Sequence, residues 1–485
     1  MTPSATDGPA APAAPAAPAD PATMLRSPQY LRLLVVAAVL GVPISAVAYW
    51  FLVLTGALGD WLYTGLPAAL SFDPVPVWWP LPLLGLAGLL VGLVVRSVPG
   101  RGGESPLDGF HPGGGAPAPL PLLGIAVAAV VSLGLGAVVG PEAPLIAIGG
   151  GLAAAAVRLA RRPVPAQALA LVAATGSFAA ISALFGSPLA GAFLLMEAAG
   201  IGGPMLRPLL VPGLLASGIG SLVFVGLDAW TGEGVFSFAL PGLPSFDRPD
   251  LAQFAWAVAI GLAAALLVTG IRRLATWLRA PVERRVLVAA PVVGLAVAGL
   301  AIGYAQVSGH DVTDVLFSGE EQLPGLVDAR ADYTVGALLL LLLCKSLAYA
   351  GSLVAFRGGP TFPAVFLGAA GGIALSHLPG LPVTPAVAMG LAATCAAMLQ
   401  LPLTSVLLAT LMLGADGLAV MPLVIVAVTV SYVASARLAP RPAAPGDAAA
   451  DPAPDTPVPV PRPAAADGIA AVPGGSSRPG EPHGP

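Results

Sequence analysis

Long apolar runs interrupted by Gly and Pro fill the chain from about residue 30 to 437. They fall at 33–56, 79–98, 118–139, 145–160, 165–184, 188–200, 206–227, 252–278, 286–305, 334–356, 363–377, 384–399, 402–414 and 419–437. A helix needs about 20 consecutive apolar residues to cross the hydrocarbon core. Some of these runs are long enough, but others, such as 188–200 and 402–414, fall well short and open on Pro. Helices that stop inside a membrane are tolerated only where they are buried in protein or line a cavity. The pattern predicts an all-α polytopic membrane protein, with many tilted and partial-span helices arranged around a transport path.

Charge then suggests an orientation. Arg26 and Arg32 precede the first run, and Arg96 and Arg101 follow the second. The intervening stretch, roughly 57–78, holds Asp60 and Asp73 but no Lys or Arg. By the positive-inside rule the N-terminus is expected in the cytoplasm and that stretch outside. Trp50, Trp61, Trp78 and Trp79 stand near the ends of the runs, where an aromatic belt belongs.

Composition narrows the function classes. Hydrophobic residues make up 56% and charged residues 9%, against about 25% charged in soluble domains, and mean hydropathy is +0.88. The net charge of −4 gives no reason to expect nucleic acid. Cys344 and Cys395 form no disulfide framework, and His111, His310, His377 and His483 form no cluster. Neither a metal nor another cofactor is expected. An intramembrane enzyme would need paired Asp, a Ser/His pair or a His-rich site within the spans, so no enzyme is expected. Residues 1–23 and 439–485 are rich in Ala, Pro, Gly and Asp and are expected to be disordered tails. No cleaved signal is expected at the start, and no folded domain in the C-terminal tail.

An internal repeat carries the most information. Gly140-Pro141-Glu142-Ala143-Pro144, closing on Gly149, and Gly359-Pro360-Thr361-Phe362-Pro363, closing on Gly368, both read G-P-x-x-P-x-x-x-x-G. Downstream, Pro188-Leu189 matches Pro402-Leu403. The offsets are 219 (140 to 359) and 214 (188 to 402). Two ordered matches at nearly one offset predict two membrane repeats, 24–240 and 241–438, as transporter folds often contain.

The chemistry of G-P-x-x-P follows from helix physics. Gly frees the backbone, and Pro suits a helix start because its missing N–H costs nothing there. Such a start exposes unpaired N–H groups and the positive end of the helix dipole. Two starts aimed at one point make a site for a dehydrated anion without Lys or Arg. A full positive charge would hold the anion too tightly for rapid passage. Glu142 lies in the first turn of one such helix. An intramembrane carboxylate is costly and marks a functional site by default. Charged, it can occupy the anion's place; protonated, it is neutral and can swing away. It is therefore the candidate gate and proton acceptor.

These residues resemble the CLC family of chloride channels and chloride/proton antiporters. The family's Gly-Lys/Arg-Glu-Gly-Pro motif is matched by Gly140-Pro141-Glu142-Ala143-Pro144, which puts its gating glutamate at Glu142. Gly-x-Phe-x-Pro is matched by Gly359-Pro360-Thr361-Phe362-Pro363. Ala-Pro-Leu-Ala-Gly followed by an acidic residue is matched by Ser187-Pro188-Leu189-Ala190-Gly191 and Glu197. Gly-Ser-Gly-Ile-Pro is matched loosely by Gly102-Gly103-Glu104-Ser105-Pro106. The resemblance covers roughly residues 30–437 and implies a homodimer with one pore per subunit, each subunit an inverted repeat. It implies anion contacts at Gly140, Pro141, Ala143, Gly103, Ser105, Gly359, Pro360, Thr361 and Phe362, with chloride or a similar monovalent anion as substrate and protons as a second one. A bacterial plasma membrane is the expected location.

The departures shape the expectation. Pro141 replaces the basic residue before the gate, and Gly103 stands where the family has its anion-binding serine, with Ser105 two positions on. Pro360 lacks the N–H that would bind the anion, which leaves Thr361 and Phe362 as donors. The antiporters' inner proton-transfer glutamate falls at Ala198, beside Glu197. The family's pore tyrosine falls in the C-terminal tail, and Tyr432 is about three helical turns too early. The expected mechanism is channel-like or weakly proton-coupled, with a chloride/proton antiporter as the alternative. An inverted-repeat transporter for another solute is the rival, although a cation site would want carboxylates from both repeats and Thr361 stands opposite Glu142.

Other charges support smaller expectations. Lys345, the only lysine, could pair with a carboxylate, raise the anion potential of a vestibule, or snorkel to an interface. Arg357 is expected at an aqueous mouth, Arg158, Arg161 and Arg162 at an interface, and Glu104 and Asp108 facing water.

Overall fold

The computed structural model describes residues 26–109, 117–160, 164–182, 184–185, 187–199, 206–232 and 239–439. The two expected tails, His111, His483, Arg161 and Arg162 lie outside these residues, apart from Ala439 at the edge of the C-terminal one.

Fifteen α-helices and no strands are found among the described residues. In the first half α1 is Pro28–Asp60, α2 Pro80–Ser97, α3 Pro119–Gly134, α4 Glu142–Leu159, α5 Ala166–Ile181, α6 Pro188–Ala198 and α7 Leu206–Thr231. In the second half α8 is Leu251–Arg284, α9 Val286–Ser308, α10 Gln322–Asp328, α11 Val335–Ala355, α12 Thr361–Leu375, α13 Val383–Leu399, α14 Pro402–Met412 and α15 Gly417–Leu438.

The halves run through a similar order of helices, apart from the extra short α10 in the second. Long α1 (33 residues) answers α8 (34 residues), and each half later reaches a helix that begins at the repeated motif. Short α6 and α14 have 11 residues each. Ends are set by local chemistry. Pro opens α1, α2, α3, α6 and α14. Asp250 and Gln253 form a capping box on α8, and Thr334 caps α11. Gly309 and Gln400, both left-handed, stop α9 and α13.

The glycine that closes each motif explains the packing. A methyl at Gly149 of α4 would overlap the Gly176 carbonyl of α5, and one at Gly368 of α12 would overlap the Gly390 carbonyl of α13. Helices without a hydrophobic driving force between them associate through such small-residue contacts. The same crossing thus occurs at the same motif position in both halves.

Eight helices are long and apolar enough to cross a membrane, and six more are apolar but shorter. α12, with 15 residues, spans about 22 Å of a core about 30 Å thick. Its residues are nearly all buried, so it starts inside the protein. The structure differs from the sequence reading on the 57–78 stretch, which is helical for much of its length. α1 runs to Asp60 and continues through a π-turn, Trp61–Gly65, to Ala69. Leu58 packs on Gly134 of α3 and Phe317 on Gly59, contacts that hold the helical extension against the rest of the protein.

Candidate functional site

The two repeated motifs meet. Gly140 and Gly359, equivalent in sequence, form an isolated antiparallel bridge. Gly140 N donates to Gly359 O at 2.7 Å, and Gly359 N donates to Gly140 O at 2.5 Å. Antiparallel pairing of equivalent residues is what a local two-fold axis requires, so the bridge lies where the two halves are related. Pro141 and Pro360 follow as the N-caps of α4 and α12, with near-identical helical dihedrals. Each helix therefore begins on its side of the bridge with its first N–H groups at the shared point.

Glu142 is buried between these starts. Its Oε1 accepts from the backbone N–H of Thr361, the first residue of α12. The carboxylate of one half thus occupies the helix start of the other. Methyls at Gly140 or Gly359 would fall on the Glu142 carboxyl, so the two glycines form the slot that holds it. No hydrogen bond of good geometry reaches Glu142 Oε2 or Thr361 Oγ1, although both are buried. Buried polar groups left unpaired cost about 1–3 kcal/mol each and call for an explanation. Here a spare acceptor suits a proton and a spare hydroxyl donor suits an anion.

The other expected site residues lie around this point or apart from it. Phe362 stacks on Phe185 with centroids 5.7 Å apart, and Ala143 occupies the second position of α4. The Gly103 (φ +95°) N–H donates to Gly100 O at 2.9 Å and the Ser105 hydroxyl to Leu353 O at 2.8 Å. The hydroxyl at the bridge is that of Thr361. Arg357 N donates to Ser132 Oγ at 3.0 Å, and its guanidinium reaches the Arg101 and Phe356 carbonyls. Asp108 pairs with Arg279 at 2.6 Å.

Glu197, at the end of α6, docks on another helix start. It accepts from Leu403 N at 2.9 Å, Thr404 N at 2.7 Å and the Thr404 hydroxyl at 2.6 Å. α14 has no cap of its own, so Glu197 supplies one from the first half.

Lys345 does not snorkel. It is fully buried, donates to the carbonyls of Asp314 (2.9 Å), Val315 (3.3 Å) and Leu316 (3.0 Å), and lies over the Phe366 ring at 4.2 Å. The Asp314 carboxylate turns instead to the hydroxyls of Tyr304 (3.1 Å) and Tyr333 (2.9 Å). Lys345 therefore clamps the 314–316 backbone. Lys345→Met should cost about 3 kcal/mol, since it strands carbonyls that accepted from a charged donor. Thermal unfolding in detergent checks this, and an unchanged midpoint would remove the clamp.

Sequence reasoning missed two groups. Tyr349 on α11 is buried and donates to Pro360 O at 2.6 Å, fixing the start of α12. The only hint was a phenol in an apolar helix, which must find a partner. Glu320 and Glu321 were also missed. They line a cavity of about 570 Å³ that reaches Pro141 and Phe362 and is bounded by Asp60, Tyr63 and Phe317.

Comparison with known proteins follows the same line. Residues 87–436 match the sequence profile of the voltage-gated chloride channel family. YfeO of Escherichia coli O17:K52:H18, a protein named for ion transport, is 30% identical over 353 residues, covering 71% of this chain and 79% of YfeO. The fold is similar to that of a slow cyanobacterial chloride/proton antiporter, with TM-score 0.65 and 18% identity over 84% of this chain and 95% of that one. A CLC-type fluoride/proton antiporter gives TM-score 0.58 and 20% identity over 84% of this chain and 96% of that one. At such identities the likeness is one of fold.

Proposed function

Because the chain belongs to the voltage-gated chloride channel (CLC) family, we propose that it carries chloride and similar monovalent anions through a path gated by Glu142. The observation that carries this reading is the docking of the Glu142 carboxylate on the α12 start, with Glu142 Oε2 and Thr361 Oγ1 left unpaired beside it. A carboxylate held by a helix start is a tethered anion, competing with chloride for the same donors. Among the described residues no Lys or Arg hydrogen-bonds to Glu142 or Thr361, which suits weak binding and fast release. The N-terminus is taken as cytoplasmic, the repeats as 24–240 and 241–438, and the assembly as a homodimer in a bacterial plasma membrane.

Coupling to protons is expected to be weak or absent. Ala198 stands where the antiporters' inner carboxylate belongs, and Glu197 beside it is engaged by three donors of α14. Proton antiport is the second reading, favoured by the unpaired Oε2 of Glu142. Chloride flux from liposomes, with and without a proton gradient, tests both. Chloride movement that drives no uphill proton movement is the expected result. Stoichiometric proton pumping would make the protein an antiporter, and cation flux without chloride flux would sink the anion reading.

A further inference from the structure

The cavity that leads to the site is lined by the wrong sign of charge for an anion. Its charged lining residues are Asp60, Glu320 and Glu321, and none is Lys, Arg or His. Asp60 closes α1, while Glu320 and Glu321 lie on the turn before α10. That turn is held in place. Lys345 grips the carbonyls of 314–316, Phe317 N donates to Gly136 O at 3.1 Å, and Glu320 N donates to Ser318 Oγ at 3.2 Å. At Gly319 (φ +88°) any side chain would strike Phe366.

These carboxylates are electrically joined to the gate. Glu320 feels the charges of Glu142 and Glu321, and Glu321 feels that of Asp60. Burial first, then Glu142 and Glu321, hold the Glu320 carboxyl well above the usual carboxylate range. Burial first, then Asp60, raise that of Glu321. The remaining neighbours add no compensating positive charge to the lining. The Tyr63 hydroxyl donates to Leu135 O, Lys345 and Asp314 are engaged behind the turn, and α12 contributes only Phe362 and Val365. Next to Pro141 in the cavity wall, Glu142 Oε2 is buried and unpaired, an independent sign that a proton or an ion is handled at this end.

We propose that Glu320 and Glu321, in the cavity that Asp60 also lines, form a titratable filter at the mouth of the anion path, which repels anions when charged and admits them when protonated. A cleft lined by one sign of charge alters local ion concentration by roughly tenfold or more, and the effect falls steeply with ionic strength. Rising pH on the cavity side charges the lining and depletes chloride there. Falling pH discharges it, and because the charge of Glu142 raises the proton affinity of Glu320, protonation of Glu142 makes that of Glu320 harder and spreads the discharge over a wider pH range.

The inference rests on the anion-transport reading, and one experiment separates the two. Chloride efflux from liposomes is measured over a pH series for wild type, Glu142→Gln, Glu320→Gln and the double variant. Impermeant salt sets the ionic strength to about 0.01 M or 1 M, where the Debye length is about 30 Å or 3 Å. Glu142→Gln should keep a several-fold acid activation at low ionic strength that shrinks at high ionic strength and disappears in the double variant. Glu320→Gln alone should raise neutral-pH efflux several-fold at low ionic strength only, whereas Glu320→Asp keeps the wild-type profile. Should Glu320→Gln fail to fold, Asp60→Asn with Glu321→Gln reads the same field. Identical pH and salt profiles in Glu142→Gln and its double variant would overturn the filter. A wild type that moves no chloride would instead overturn the anion reading.

Discussion

Neutral-pH chloride efflux through Glu142→Gln is expected to exceed wild-type efflux roughly tenfold, because a hydrogen bond to a charged group is worth about 1.5–3 kcal/mol and the substitution removes it. In the wild type the carboxylate holds the Thr361 N–H at the α12 start, where negative charge is favoured. Gln has the size of a protonated Glu, carries no charge and competes weakly with chloride. Protonation should release the wild-type gate, so efflux should rise as pH falls. In Glu142→Gln that dependence should be lost, apart from the salt-sensitive remainder assigned to the cavity mouth. Glu142→Asp keeps its charge on a shorter chain that cannot reach Thr361, so it should behave differently from Gln. If Glu142 were only a helix cap, Gln would cost about 1 kcal/mol of stability and leave the pH profile alone. Efflux at matched protein levels across a pH series decides, and an unchanged profile removes Glu142 from the gate.

Gly359→Ala in the Glu142→Gln background is expected to cut efflux about fivefold or more, since overfilling a packed site costs typically about 1–3 kcal/mol. The added methyl would fall on the Cγ, Cδ and Oε1 of residue 142, the far end of a flexible side chain that can move aside. The protein should therefore fold, with the slot filled. If chloride takes the place the carboxylate leaves, the methyl obstructs chloride as well. Gly140→Ala, whose methyl would meet the same carboxyl from the other half, should act alike. Efflux equal to that of the parent variant, with unchanged elution from size exclusion, would mean that anions pass elsewhere.

The repeat was legible because it is written in residues with few substitutes. Gly140, Pro141, Gly359 and Pro360 mark helix starts, and a carboxylate at Glu142 in an apolar run has few structural excuses. The contact between the starts was not legible. It is made by backbone N–H and carbonyl groups, which every residue possesses. The same reason hid the partners of Lys345, three carbonyls, and of Glu197, two amides and a hydroxyl. Glu320 and Glu321 stand between apolar runs, where acidic residues normally face water. Only the tertiary arrangement brings Glu320 within electrostatic reach of Glu142. The end of α1 was placed short because the apolar run was ended at 56, whereas tertiary packing continues the helix.

Where Gly140 and Gly359 exchange their two hydrogen bonds, the halves of the molecule are riveted beside the Glu142 carboxylate, where the proposed path would cross. Many transporters alternate access by rocking one half against the other about the substrate, and that needs the halves to slide where they touch it. Sliding here would break both bonds of the rivet inside a dry interior, where each stranded group costs about 1–3 kcal/mol. The moving part must then be small: a side chain of a few atoms swinging in a rigid frame. A cross-link clamping the two halves together away from Glu142 should leave transport running, as it would not in a machine that works by hinging.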